Sequence, residues 1–115
     1  MNIEELREFC LSLPATTEDI KWENHLVFSV AGKIFCLTGL DPPMQVAIKI
    51  PEEQFDELTQ TGEIIQASHF ARRQWVTVLE QSRFSKKEWE KYVRQSYELV
   101  RAKLPKKVRE KMNDG

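Results

Sequence analysis

The side chains able to do chemistry are few in this chain of 115 residues, and their spacing decides what they can do. The two histidines, His25 and His69, lie far apart, and neither has a second His, Cys or carboxylate at ligand spacing beside it. No metal site is expected. Cys10 and Cys36 lack the paired spacing of a zinc site or disulfide framework. Both fall among apolar residues and read as small buried hydrophobes. Spacing alone leaves open a nucleophilic pair of His69 with Cys36, against which the core reading of both residues weighs heavily. The carboxylates Glu52/Glu53 and Asp56/Glu57 read as a solvated helix face rather than as a general acid and base. With four glycines in all, the chain holds no glycine-rich phosphate loop and no nucleophile elbow. A domain that is not an enzyme and carries no cofactor is expected.

Cationic side chains remain. Formal net charge is −1, but residues 1–62 hold 4 Lys+Arg against 11 Asp+Glu, a net of −7, and residues 63–115 hold 13 against 7, a net of +6. Such asymmetry points to a basic surface with an anionic partner. The candidates are Lys33, Arg72, Arg73, Lys86 and Lys87, with His69 and Trp75 beside the two arginines.

Positioning those residues requires a sheet, and the stretch Leu26–Ile50 supplies its centre with three strand-like runs in a row. Leu26, Phe28 and Val30 alternate with Val27, Ser29 and Ala31, Ala31-Gly32 forms a tight turn, and Ile34 to Thr38 runs back. That turn would set Val30 opposite Lys33, Phe28 opposite Phe35 and Leu26 opposite Leu37. After Asp41-Pro42-Pro43, the residues Met44, Val46, Ile48 and Ile50 alternate with Gln45, Ala47 and Lys49, giving one core face and one wet face. Ile20 and Trp22 suggest a short edge strand before the hairpin, and Trp75 to Glu80 a further strand after it. Residues 63 to 74 have no clean period.

Helices flank the sheet. Asn2 and Glu5 match a capping box, Ile3, Leu6, Cys10 and Leu13 share one face, and Pro14 marks the end. Pro51 before Glu52 and Glu53 starts a short second helix that presents Phe55 and Leu58 to the sheet and stops at Gly62. Ser85 and Glu88 form another capping box, followed by Trp89, Tyr92, Val93, Ser96, Tyr97, Val100 and Leu104 at three and four residue intervals. That aromatic stripe is core, because a meander alone would expose too much apolar surface. The helix stops before Pro105, and residues 105–115 form a basic tail whose last residues fray. The whole reads as one α+β domain over residues 1–115, an antiparallel β-meander packed by N-terminal and C-terminal helices.

Five segments in this order, EELREFCLSLPATTED, LVFSVAGKIFCL, QVAIKIPEEQFDEL, SHFARRQWV and SYELVRAKLPKK, resemble the MmcQ/YjbR family of small bacterial proteins, from about Ile3 to Lys107. The resemblance implies a YjbR/CyaY-like unit, of frataxin-like or secretion-chaperone-like architecture. It also implies DNA binding through two projecting β-segments, a double wing. One wing would be the hairpin tipped by Gly32 and Lys33, the other the segment with His69, Arg72, Arg73 and Trp75. Lys86 and Lys87 would add phosphate contacts.

Three functions are expected in that order. The first is weak, poorly sequence-specific DNA binding through phosphates, with a salt slope of roughly −3 to −4.5 for about three to five contacts. The second is a protein-interaction adaptor that docks through Val27, Ile34 or Val76, or pairs edge strands as a weak homodimer. The third is a small-molecule pocket lined by His69, Trp75 and Trp22. The N-terminal residues carry charge where a signal segment needs none, and no long apolar run occurs, so a cytoplasmic location without membrane contact is expected.

Overall fold

The computed structural model describes residues 1–114. In chain order it holds α1 (Ile3–Ser12), β1 (Thr16–Lys21), β2 (His25–Val30), β3 (Lys33–Gly39), β4 (Val46–Lys49), α2 (Phe55–Leu58), β5 (Ile64–Gln66), β6 (Trp75–Val78), α3 (Lys86–Ala102) and α4 (Lys106–Asp114). Short 3-10 turns at Glu52–Gln54 and Gln81–Arg83 precede α2 and α3. Both expected capping boxes form: Asn2 with Glu5 at 2.8 and 3.1 Å, and Ser85 with Glu88 at 3.2 and 2.9 Å. Each satisfies two orphan amides at a helix start.

All strand neighbours are antiparallel, in the order β1-β2-β3-β4-β6-β5. Four strands form the expected meander. The chain then crosses through α2 to the far edge as β5 and returns between β5 and β4 as β6. β5 was hidden in the segment without period because three residues are too few to show alternation.

The turn at Ala31 and Gly32 has φ of 48° and 83°, the positive pair that matches strand twist in a two-residue hairpin. Val30 faces Lys33 as expected, but the next pairs do not follow. Phe28 faces Cys36, Leu26 faces Thr38, and the register shifts between Phe28 and Ser29. Phe35 is the extra residue of a β-bulge, which lets Phe35 and Cys36 both enter the helix-covered core at 0% exposure. A hairpin of ideal alternation would have sent one of them outward.

The bulge separates β3 from β4 near the hairpin end, and α3 fills the gap. The Ser96 hydroxyl donates to Phe35 O at 2.6 Å and accepts from Lys49 N–H at 2.8 Å, replacing a bond the strands no longer make to each other. At the next position Tyr97 donates to Pro14 O at 2.6 Å, and its ring meets Phe35 edge-on at 5.3 Å. Trp89 anchors the other end of α3 by donating to Gln81 O at 2.7 Å. Lys86 reaches Glu5 at 3.1 Å, and Arg7 grips Glu18 at 2.6 Å, so α1 is tied both to α3 and to β1.

Cys10 and Cys36 are buried in this core, as expected, with their thiols against each other; burial first, then the neighbouring Cys36, pushes the Cys10 thiol far up.

Two expectations change. The basic tail is helical: Pro105 both stops α3 and precedes α4, whose Val108 and Met112 follow Leu104 at four-residue spacing and pack on the core. Fraying expected at the end of the chain falls in part on Gly115, outside the described residues. The second sheet face is not simply wet. Val27, Leu37, Ala47, Ala67 and Trp75 form a separate buried cluster there, joined by Ile34 and Phe70. Among the described residues no helix is long and apolar enough to cross a membrane.

Replacing Ser96 by Ala leaves one buried carbonyl and one buried amide without a partner, at a cost of about 2 kcal/mol. A melting temperature lower by roughly 10 °C is expected, while Ser82→Ala on the exposed 3-10 turn leaves it unchanged. Calorimetry of both variants checks this; equal melting temperatures would deny Ser96 its role.

Candidate functional site: a groove on the outer sheet face

The face that carries no helix has a groove of about 860 Å³. Its floor alternates with the core residues of the same strands. Leu37 and Ala47 lie between Cys36 and Thr38 and between Val46 and Ile48, and Ile34 and Thr77 extend the floor along β3 and β6. One end is closed by Trp22, His25 and Asp41, the other by Ser68, His69 and Phe70.

Each end is built by local backbone chemistry. The turn between β1 and β2 puts Trp22 and Glu23 at φ of 51° and 69°, which leaves the Trp22 ring 58% exposed and edge-on to His25 at 5.9 Å. Asn24 bridges this turn to the next loop: its backbone oxygen accepts from Leu40 N–H at 2.8 Å and its side-chain amide donates to Asp41 Oδ2 at 3.1 Å. The His25 Nδ1 is buried with no hydrogen-bond partner.

At the opposite end Gln66 holds the loop of residues 67–74. Its amide donates to Ala67 O, Phe70 O and Ala71 O at 2.9, 3.3 and 3.4 Å, and its oxygen accepts from Arg73 N–H at 2.8 Å. This clasp folds the loop back over the sheet, and Phe70 stacks on Trp75 with centroids 4.5 Å apart. His69 and Arg73 take positive φ, 68° and 65°, conformations that non-glycine residues hold only when surrounding bonds enforce them.

The seven residues singled out from the sequence do not converge on one surface. The hairpin tip with Lys33 and the loop with Arg72 and Arg73 do share one end of the sheet, because Val30 pairs with Lys33 and Lys49 with Trp75 at that end. Lys33 shares its partner Val30's side, the helix-covered face, so it does not look into the groove. Arg73 is committed to Asp56 by two bonds of 3.0 Å, with Glu52 at 3.6 Å and the Phe55 ring 5.0 Å below. That pairing raises the guanidinium's pKa and holds the Asp56 carboxyl below its ordinary range. Arg72 is exposed. Trp75 is 7% exposed and acts as packing under Phe70 rather than as a contact surface. Lys86, paired with Glu5, and Lys87 start α3 at the opposite end of the sheet. Of the seven, only His69 lines the groove.

Of the pocket expected from His69, Trp75 and Trp22, two members do line the groove, from opposite ends. His25, Phe70 and Asp41 are the residues that sequence reasoning missed. The docking surface expected at Val27, Ile34 and Val76 is reduced to Ile34: Val27 lies under the second cluster, and Val76 points into the helix-covered core. Among the described residues no group of three His, Cys, Asp or Glu gathers as a metal site.

A six-stranded antiparallel sheet with helices on one face and a clasped loop on the other defines a sheet-and-helix α+β class that solved structures share. The crystal structure of a Deinococcus radiodurans protein with a DUF419 domain superposes with a TM-score of 0.88 at 26% identity, covering 97% of this chain and 88% of that one. A Pseudomonas syringae protein has the same fold at a TM-score of 0.70 and 22% identity, covering 86% of this chain and 98% of that one. The YjbR family model matches residues 11–99, and the chain belongs to the YjbR family. No curated protein matches it.

Gln66→Ala is expected to release the loop without unfolding the sheet. Losing the bond at the Arg73 amide, worth about 1.4 kcal/mol with its neighbours, speeds hydrogen exchange of residues 67–74 roughly tenfold, while β2 and β3 keep their protection. Unchanged exchange at Arg73 would show that packing of Phe70 alone holds the loop.

Proposed function

We propose that this domain is a non-catalytic binding module whose ligand site is the outer-face groove. The observation that carries the reading is the coincidence of volume and construction. A groove of about 860 Å³ falls within the roughly 300–1,000 Å³ typical of small-molecule sites, with an apolar floor and a few polar groups at its ends. Its walls are set in advance, since Gln66 fixes one end and Asn24 the other, and a ligand need not order them. The positive φ values of Trp22 and His69, one at each end, fit the tendency of backbone strain to collect at ligand sites. Binding rather than reaction is favoured because His25 and His69 stand at opposite ends, and no nucleophile pairs with either among the described residues.

A panel of planar aromatic fragments, followed by NMR, is expected to shift Leu37, Ala47 and Phe70 together with millimolar or better affinity. Thr77→Phe, a strand-compatible residue that fills the floor, abolishes those shifts. Shifts scattered over the molecule, or unaffected by Thr77→Phe, would refute the site.

A second reading, DNA binding through two wings, is favoured by one observation: the hairpin tip and the 67–74 loop lie at the same end of the sheet. There Lys33 and Arg72 are exposed and free of acidic partners among the described residues. With Arg73 held by Asp56, about two phosphates can be neutralised, so log K is expected to fall with log salt at a slope of roughly −2, shallower than a larger cation set would give. A Lys33→Ala/Arg72→Ala variant loses that slope. Salt titration of duplex binding decides, and wild type and variant giving the same curve would eliminate the wings. An adaptor that docks protein would use the groove face itself, through Ile34 alone of the residues first expected.

A further inference from the structure

The lining of the groove carries a charge preference. Among its residues Asp41 is the one carboxylate, and neither Lys nor Arg contributes. Asp41 lies at the end shared with Trp22 and His25. Its Oδ2 accepts from Asn24 at 3.1 Å, which orients the carboxylate and leaves Oδ1 for another donor. No basic side chain pairs with it among the described residues. Next to it, the Trp22 ring is exposed, and an indole is the best side-chain partner for a cation. The Asp41 carboxylate and the Trp22 ring favour a positive donor and disfavour an anion. The remainder of the groove, from Leu37 and Ala47 to Phe70, is mainly apolar and aromatic, and its polar members, Thr38, Gln45, Gln66, Ser68, His69 and Thr77, include no carboxylate, Lys or Arg.

Resting on the groove as ligand site, we infer that its natural ligand is a flat aromatic molecule bearing an amine or other organic cation. The cation sits between Asp41 and Trp22, and the ring lies along the floor toward Phe70. The chemistry of the lining sets this apart from phosphate recognition, since a phosphate in the groove would meet the Asp41 carboxylate and neither Lys nor Arg.

Three naphthalene probes of nearly equal size test it: 2-naphthylmethylamine, 2-naphthylmethanol and 2-naphthoate, titrated at neutral pH and low salt against the full chain and read by NMR at Leu37 and Ala47. The amine is expected to bind about tenfold more tightly than the carboxylate, with the alcohol between them. Asp41→Asn, a change at an exposed position, abolishes the amine's advantage over the carboxylate. A carboxylate that binds as well as the amine, or a ratio untouched by Asp41→Asn, overturns the charge preference while the groove remains a site. Failure of all three probes to move Leu37 or Ala47 overturns the preference and the groove together.

Discussion

One hydroxyl joins the two halves of this fold. Ser96 sits where the Phe35 bulge has parted β3 from β4, and it bonds to a backbone group of each. Without the bulge, the strands would satisfy one another and α3 would have no polar attachment to β3 and β4. With it, a buried carbonyl and amide require a partner, and only the helix can supply one. The hydrophobic effect presses α3 onto the sheet but is indifferent to small slides and rotations; two bonds of fixed direction are not. The positions of Tyr97 on Pro14 and Trp89 on Gln81 follow from that anchorage, and α1 lays Leu6 and Cys10 into the same core.

With the helices committed to one face, the other must be finished without them. Val27, Leu37 and Ala47 are too apolar to leave in water, yet a full cover would consume the surface. The loop between β5 and β6 covers half of it. Gln66 bends that loop over the sheet by saturating its backbone, and Phe70 and Trp75 provide the lid. The uncovered half is the groove. Its existence is thus a consequence of how little chain remains to close the sheet, and its charge a consequence of which turn borders it.

Charge along the chain proved a poor guide to charge in space. The acidic first half and basic second half meet at two cations: Arg73 takes Asp56 and Glu52, and Lys86 takes Glu5. An asymmetry that reads as a basic surface in sequence is in part the pairing scheme of the fold, in which residues distant in the chain are neutralised across elements. Exposed pairs of this kind add little stability. Their effect here is to remove cations from the surface, leaving Lys33 and Arg72 at the hairpin end and Asp41 alone in the groove.

Elements specified by local signals were legible: capping boxes at Asn2 and Ser85, the Ala31-Gly32 turn, the alternation through Val46 and Ile48, and the helical stripe from Trp89 to Val100. What escaped depends on contacts rather than on period. The bulge at Phe35 leaves no trace in an apolar run, because Ile34, Phe35, Cys36 and Leu37 satisfy either register until Ser96 arrives. β5 is three residues long, and α4 hides behind a proline that ends one helix and begins the next. The loop that walls the groove is the extreme case. Its shape comes from one glutamine reaching four backbone groups, and a side chain that folds its neighbours by hydrogen bonds imposes no hydrophobic period at all. The clasp at Gln66 aims the segment of His69 into the groove and Arg73 away from it, toward Asp56. A groove walled this way is written in the sequence as a single polar residue beside a short strand, and only the fold shows which backbone it holds.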